Sequence, residues 1–135
     1  MPSEYRLKRR VQFYETDMAG IVHFSWFFRY LEEAEHAMWR EAGLSIAGGA
    51  GIAWPRIEAS FEFHRPLKFE DEFDVHLRII AKDARTIRYE GVITKGDTAI
   101  ATGKMTIKCV RKVPGEPLRS VDIPADIDAA FQVAD

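Results

Sequence analysis

The sequence predicts an α+β fold in which one five-stranded antiparallel sheet wraps around a long central helix. Three observations support this prediction. A strand-like segment comes first, one long segment with helical periodicity follows, and four segments with alternating apolar and polar residues come next. Because only one long apolar helix is available to cover the apolar face of the sheet, we expect the sheet to curve around it.

The composition indicates one domain with a hydrophobic core, which we place at residues 1–113, followed by a tail at residues 114–135. The 19 basic and 21 acidic side chains give a formal charge of −2, which offers no electrostatic basis for binding nucleic acid or an anionic membrane. No apolar run approaches the roughly 18 residues of a membrane span, and no signal-peptide core begins the chain. Cys109 is the only cysteine, so no intrachain disulfide forms. We expect a cytoplasmic protein without a metal or cofactor.

The helix is predicted at residues 24–42, and Gly43 follows where a left-handed helix cap is expected. Spacing at about 100° per residue places a wide apolar stripe on one helix face. Its members are Phe24, Phe27, Phe28, Leu31, Ala34, Met38, Trp39 and Ala42. Glu35 interrupts this stripe, so it is singled out below.

Residues 57–64, 73–79, 87–93 and 101–109 alternate with a period of two, as strands do. The last two are separated by the Gly-Asp signal of a hairpin. We predict that the four strands pair consecutively as a meander, with Pro66 outside the ladder. The glycine-rich stretch 47–55 should be a loop or lid, and the tail should contain at most a short helix near residues 126–131.

The junction between the first strand and the helix reads YETDMAGIVHF. Taken alone, Asp17 is a candidate N-cap of the helix. The residues after it favour another interpretation, since Ala19-Gly20 would allow close backbone approach and Ile21-Val22 would exclude water from a carboxylate. A carboxylate beside unpaired helix N–H groups is suited to hydrolysis of an activated acyl group.

The segment YETDMAGIVHFSWFFRYLEEAEHAMWREAGL resembles the 4-hydroxybenzoyl-CoA thioesterase family of hotdog-fold acyl-CoA thioesterases. That family carries the pattern D-x-x-G-x-V at this junction, and Asp17, Gly20 and Val22 match it. The segment HRPLKFEDEFDV is similar to the family's entry into the third strand. The resemblance spans residues 5–110.

The resemblance implies that Asp17 is the catalytic carboxylate, as a nucleophile or as a general base toward water. It also implies that the backbone N–H of Phe24 polarises the thioester carbonyl, and that Gly20 forms the turn before the helix. A homodimer or homotetramer with sites between subunits is implied, acting on acyl-CoA or on an acyl-carrier protein. Relatives of the short-chain branch carry Tyr-His after the valine, whereas this chain has His23-Phe24.

Three further residues are candidates for substrate binding. His23 could reach the acyl pocket, or it could be a surface residue. Glu35 could be a second carboxylate of the site, or it could reach solvent or pair with Arg29 or Arg65. Arg88 is the preferred contact for the CoA phosphates among the nearby cations, the others being Arg65, Lys68 and Arg85.

Two other functions remain open from the sequence. A hotdog dehydratase or hydratase would pair a histidine with a carboxylate, and no histidine is obviously opposite Asp17. A non-catalytic acyl-binding module would keep the fold without turnover. The acyl group also stays open, because the aromatic residues that could line a pocket could equally form the core; these are Trp26, Phe27, Tyr30 and Trp54.

Overall fold

The structure is a computed structural model that describes residues 3–49 and 51–135. One five-stranded antiparallel sheet curves around one long helix, which confirms the predicted fold class. Its strands are β1 (Glu4–Arg10), β3 (Arg56–Phe63), β4 (Glu72–Lys82), β5 (Thr86–Lys95) and β6 (Thr98–Lys108). A smaller sheet contains β2 (Ile52–Ala53), β7 (Val110–Arg111) and β8 (Arg119–Ser120). The helices are α1 (Ser25–Glu41) and α2 (Ala125–Ala130).

Helix α1 matches its prediction to within one residue at each end. Gly43 has φ of +78°, which confirms the left-handed cap. The buried face differs from the predicted stripe, because Phe24 is 60% exposed, Phe28 and Ala42 are half-buried, and Tyr30 is completely buried. The central part of the helix fills the concave side of the sheet, and its first turn is left accessible. The buried residues are Phe27, Tyr30, Leu31, Ala34, Glu35, Met38 and Trp39.

The predicted meander is wrong in one respect, since the strand order is β1-β4-β5-β6-β3. Strand β3 pairs with β6 at the far edge of the sheet rather than with β4. The hairpin through Gly96 joins β5 to β6 as predicted. The connection at residues 64–71 is too long for a tight hairpin and crosses the end of the sheet. On the way, Leu67 is buried and its carbonyl accepts the Val22 N–H at 2.8 Å.

The segment after residue 113 contributes two buried side chains to the core, those of Ile123 and Phe131. The predicted short helix is present as α2. The Phe131 ring is completely buried, with its centroid 4.9 Å from that of Trp39. Trp54 lies 5.3 Å from Trp39 and is core as well, and β2 begins inside the predicted glycine-rich loop. Within the described part of the chain, no helix is long and apolar enough to cross a membrane.

Candidate active site

Asp17 lies at the first position of a tight turn between the 3₁₀ turn Phe13–Glu15 and α1. The Gly20 N–H donates to the Asp17 carbonyl at 2.9 Å, and the Asp17 N–H donates to the Ile21 carbonyl at 2.9 Å. The Asp17 carboxylate accepts the Ala19 N–H at 2.8 Å, which is the usual reason for aspartate at this turn position. Its side chain is exposed, so one carboxylate oxygen remains accessible to a ligand.

Gly20 adopts φ of +79°, a left-handed conformation that favours glycine. A Cβ built at Gly20 has no atom of this chain within 4 Å, so no contact within the chain requires the small size of glycine there. The turn therefore needs glycine for its conformation and not for its small size. This conformation brings the chain back so that Val22 pairs with Thr16 in an isolated β-bridge.

Phe24 is the N-cap residue of α1, and no side chain caps this helix end. The interpretation of Asp17 as the helix cap is therefore wrong. The next amides have acceptors, since the Trp26 N–H donates to the His23 carbonyl at 3.0 Å and the Ser25 N–H to His23 Nδ1 at 3.3 Å. No acceptor for the Phe24 N–H occurs among the residues that the structure describes. This N–H is therefore available at the positive end of the helix dipole.

Asp17 and Phe24 line the same open cleft, which has a volume of about 470 Å³. Its walls come from the Asp17 turn, from the first turn of α1 and from the end of β3 with the connection that follows. The lining residues are Asp17, Ile21, Val22, Phe24, Phe27, Phe63, His64, Arg65 and Pro66. Three of these are polar and the rest are apolar or aromatic, so the cleft suits a ligand with a large apolar part.

His64 and Arg65 line the cleft together with Asp17. The sequence did not indicate that these two residues would lie near Asp17. They reach the cleft because β3 occupies the edge of the sheet and the chain then crosses beside the start of α1. A meander would have placed them elsewhere. The one signal in the sequence was the length of the Pro66 connection, which exceeds that of a tight hairpin.

Two predicted substrate-binding residues lie outside the cleft lining. The Nδ1 atom of His23 is 2.8 Å from Ser25 Oγ, and its ring packs on Phe24 with centroids 4.6 Å apart. Arg88 lies on β5 and pairs with Glu58 on β3 at 3.2 Å. The structure therefore does not bring either side chain together with Asp17.

Glu35 is completely buried and forms an ion pair with Arg56 on β3. The expectation that Glu35 reaches solvent or pairs with Arg29 or Arg65 is wrong, because α1 packs against β3 at this point. Burial raises the pKa of Glu35 to about 7, against the opposing effect of the Arg56 charge. Glu35 is not among the residues that line the cleft.

The described residues contain no cluster of three or more histidine, cysteine, aspartate or glutamate side chains that could hold a metal ion. The polar groups that face the cleft are the Asp17 carboxylate, the Phe24 N–H and the side chains of His64 and Arg65.

The chain matches the family model of the thioesterase-like superfamily over residues 11–131. A protein of Aquifex aeolicus provisionally named an esterase is 41% identical over 103 residues, which cover 75% of this chain and 79% of that protein. A 1,4-dihydroxy-2-naphthoyl-CoA hydrolase of Parasynechococcus marenigrum is 34% identical over 83 residues, covering 54% of this chain and 55% of the relative.

A crystal structure of a 4-hydroxybenzoyl-CoA thioesterase variant bound to 4-hydroxybenzoyl-CoA superposes with a TM-score of 0.83. The match covers 96% of this chain and 99% of that one at 19% sequence identity, so it concerns the fold. The resemblance found in the YETDMAGIVHF segment is confirmed by the family match. The chain belongs to the thioesterase-like superfamily of hotdog-fold thioester hydrolases.

Proposed function

We propose that this protein hydrolyses an acyl-CoA thioester, with Asp17 as the catalytic carboxylate. The observation that carries the proposal is that Asp17 and the unpaired N–H of Phe24 line one apolar cleft. A thioester carbonyl placed against the Phe24 N–H gains stabilisation as negative charge develops on its oxygen. The accessible Asp17 carboxylate can act on the carbonyl carbon from the other wall of the cleft.

The reaction consumes one water and gives one carboxylic acid and one CoA thiol. If Asp17 is the nucleophile, its oxygen bonds to the acyl carbon, the C–S bond breaks and water then cleaves the resulting anhydride. If Asp17 is a general base, it removes a proton from the water that attacks the same carbon. A single turnover in oxygen-18 water gives a positive test of the nucleophilic route, because the label enters Asp17 only when water attacks the aspartyl carbonyl of the anhydride.

The cleft favours an aromatic acyl group. Phe24, Phe27 and Phe63 supply its aromatic surface, and the rings of Phe27 and Phe63 lie edge to face with centroids 5.1 Å apart. One of the related proteins is named for an aromatic substrate, 1,4-dihydroxy-2-naphthoyl-CoA. Among the candidate substrates, we therefore place aryl-CoA thioesters ahead of short aliphatic ones.

We also propose that the working form is a homodimer or a homotetramer. Strand β3 is an edge strand, and Ile57 and Phe63 on it are 54% and 49% exposed. An edge strand with exposed apolar side chains is open to pairing with another chain. Because Phe63 belongs both to this edge and to the cleft, a second copy bound there would narrow the opening beside Asp17.

The experiment that tests the proposal is thiol release from a panel of aryl- and alkyl-CoA thioesters, together with one acyl-carrier-protein thioester. We expect turnover of at least one aryl-CoA with a free acid as the second product. Binding of the panel without thiol release would instead support an acyl-binding module. If only the acyl-carrier-protein thioester is turned over, the acyl donor is the carrier protein and not CoA.

A hotdog hydratase is a second candidate, because His64 and Asp17 line the same cleft and that chemistry uses a histidine with a carboxylate. A His64→Gln variant distinguishes the two functions. Thioester hydrolysis by Asp17 should survive it with a loss below about tenfold, since no step of the proposed mechanism uses the imidazole. Hydration of an enoyl-CoA by the wild type, abolished in His64→Gln, would favour the hydratase.

A further inference from the structure

Glu15 lies two residues before Asp17, and its side chain is completely buried. Three donors converge on its Oε1 atom. They are Arg9 Nη1 at 2.8 Å, the Gln12 N–H at 2.8 Å and the Tyr30 hydroxyl at 3.0 Å. This carboxylate therefore joins β1, the 3₁₀ turn and α1 at one point beneath the Asp17 turn.

The backbone of Glu15 makes a second connection of the same kind. Its carbonyl accepts the His23 N–H at 2.9 Å, and His23 immediately precedes Phe24. One residue thus contacts both ends of the loop that carries Asp17 and the Phe24 N–H. The side chain fixes where this loop starts relative to the core, and the carbonyl fixes where it ends.

The carboxylate of Glu15 is held in its charged form. Burial opposes ionisation, but hydrogen bonds from Arg9, Gln12 and Tyr30 outweigh it and lower the pKa of Glu15 below its usual value. Arg9 is itself shared with Glu33 on α1, whose Oε1 accepts from Arg9 Nε at 2.7 Å. A charged, fully buried carboxylate with three fixed donors has little freedom to move.

We propose that Glu15 is the positioning residue of the site, setting the separation and orientation of the Asp17 carboxylate relative to the Phe24 N–H. This inference rests on the proposed thioesterase function. Glu15 does not line the cleft, so it acts through the loop and not on the substrate. Misplacement of reacting groups by about 1 Å can cost about 100-fold in rate, whereas loss of a purely structural ion pair lowers stability alone.

The main variant is Glu15→Gln, which keeps the length of the side chain and an acceptor for Gln12 and Tyr30. Arg9 retains Glu33 as a partner, so no buried cation is left unpaired. We expect kcat for the best acyl-CoA to fall about 10- to 100-fold with KM changed by less than about threefold. Tyr30→Phe removes one of the three donors and should give a smaller loss in the same direction.

The matched control is Ile79→Ala, a fully buried position on β4 near the far end of α1, where its carbonyl accepts the Ala134 N–H. It should lower the melting temperature as much as Glu15→Gln or more, yet leave kcat unchanged below the unfolding transition. A Glu15→Gln enzyme with wild-type kcat would overturn the inference, as would a loss of kcat equally large in Ile79→Ala.

Amide hydrogen exchange provides a readout that does not need activity. We expect faster exchange at residues 16–24 in Glu15→Gln and Tyr30→Phe but not in Ile79→Ala. Unchanged exchange there overturns the inference. If the wild type hydrolyses no thioester, the proposed function fails by itself, and the exchange pattern still decides whether Glu15 positions the loop.

Discussion

At the scale of single residues, the N–H of Phe24 is the group at the start of α1 that the proposed mechanism uses. Phe24 has φ of −55° and ψ of −30°, and its ring is largely exposed. Proline fits the backbone of this N-cap position, since its ring fixes φ near −65°, close to the −55° of Phe24. Phe24→Pro removes both the backbone donor and the ring, whereas Phe24→Ala removes the ring alone, so the comparison of the two isolates the donor.

Phe24→Pro should lower kcat about 100- to 1000-fold, because it deletes the donor proposed to hold the oxyanion. Phe24→Ala keeps that donor and should retain kcat while raising KM for aryl-CoA. Steady-state kinetics on both variants check this, with circular dichroism to establish that α1 remains folded. Equal kcat values for the two folded variants would remove the Phe24 N–H from the mechanism.

The position of Asp17 beside the start of α1 was open to prediction because its motif is local. A turn, a glycine and a helix start lie within eight residues, so the sequence alone brings them together. The partner of Glu35 was not predictable in this way. Arg56 is 21 positions away on a strand whose neighbours in the sheet were misassigned, and only the packing of α1 against β3 joins the two.

At the scale of elements, the Glu35–Arg56 pair connects α1 to the edge strand β3. The pKa of Glu35 is raised to about 7 in the folded protein and is near 4.5 when exposed, so the folded state binds the proton more tightly. The stability that the folded protein gains from the raised pKa of Glu35 is complete below about pH 4.5. This gain is lost as pH rises through 7.

We therefore expect the free energy of unfolding of the wild type to fall between pH 5 and 8, relative to Glu35→Gln, by about 2 to 4 kcal/mol. Urea unfolding of both proteins across this range measures the difference. A difference that stays constant with pH would contradict a raised pKa at Glu35.

Contact between α1 and β5 depends on the absence of a side chain at Gly91. A Cβ atom built at Gly91 would lie 2.7 Å from the Leu31 side chain, so that side chain or the helix would have to shift. Gly91→Ala should destabilise the fold by about 1 to 3 kcal/mol. In a Leu31→Ala background the same change should cost at least about 0.5 kcal/mol less. Chemical unfolding of the four proteins of this double-mutant cycle measures the difference. Additive effects would show that the clash with the Leu31 side chain does not cause the destabilisation.

The helix and strands β3 to β6 were predictable from periodicity, because apolar residues recur along each of them at the spacing of a helix or of a strand. The order of the strands was not, since periodicity states which residues face the core and not which strand is next to which. Strand β3 lies beside β6. This placement brings residues 63–65 near Asp17. The cleft as a whole is thus a consequence of long-range pairing.

At the scale of the whole molecule, the proposed association through β3 links assembly to activity. Ala59 and Phe61 belong to the apolar set of this strand, and Phe61 packs on Phe28 of α1 with ring centroids 5.1 Å apart. Ser60 points to the opposite side. A charge can therefore be placed on either face of the same strand.

We expect the wild type to behave as a dimer or tetramer in light scattering. Ala59→Arg should shift the protein to a monomer, because a buried unpaired charge at an interface is costly. The kcat/KM of this variant should be at least about tenfold lower than that of the wild type. Ser60→Arg should keep the assembly. A wild-type monomer with full activity would contradict the proposed assembly.

The most direct test of the central claim compares thiol release from the best aryl-CoA by the wild type and by Asp17→Asn. Asparagine keeps the size of the side chain and the oxygen that accepts the Ala19 N–H, so the turn should persist while the carboxylate is lost. We predict a fall in kcat of about 100-fold or more, with the melting temperature nearly unchanged. Turnover by Asp17→Asn within a few fold of the wild type would show that Asp17 only shapes the turn.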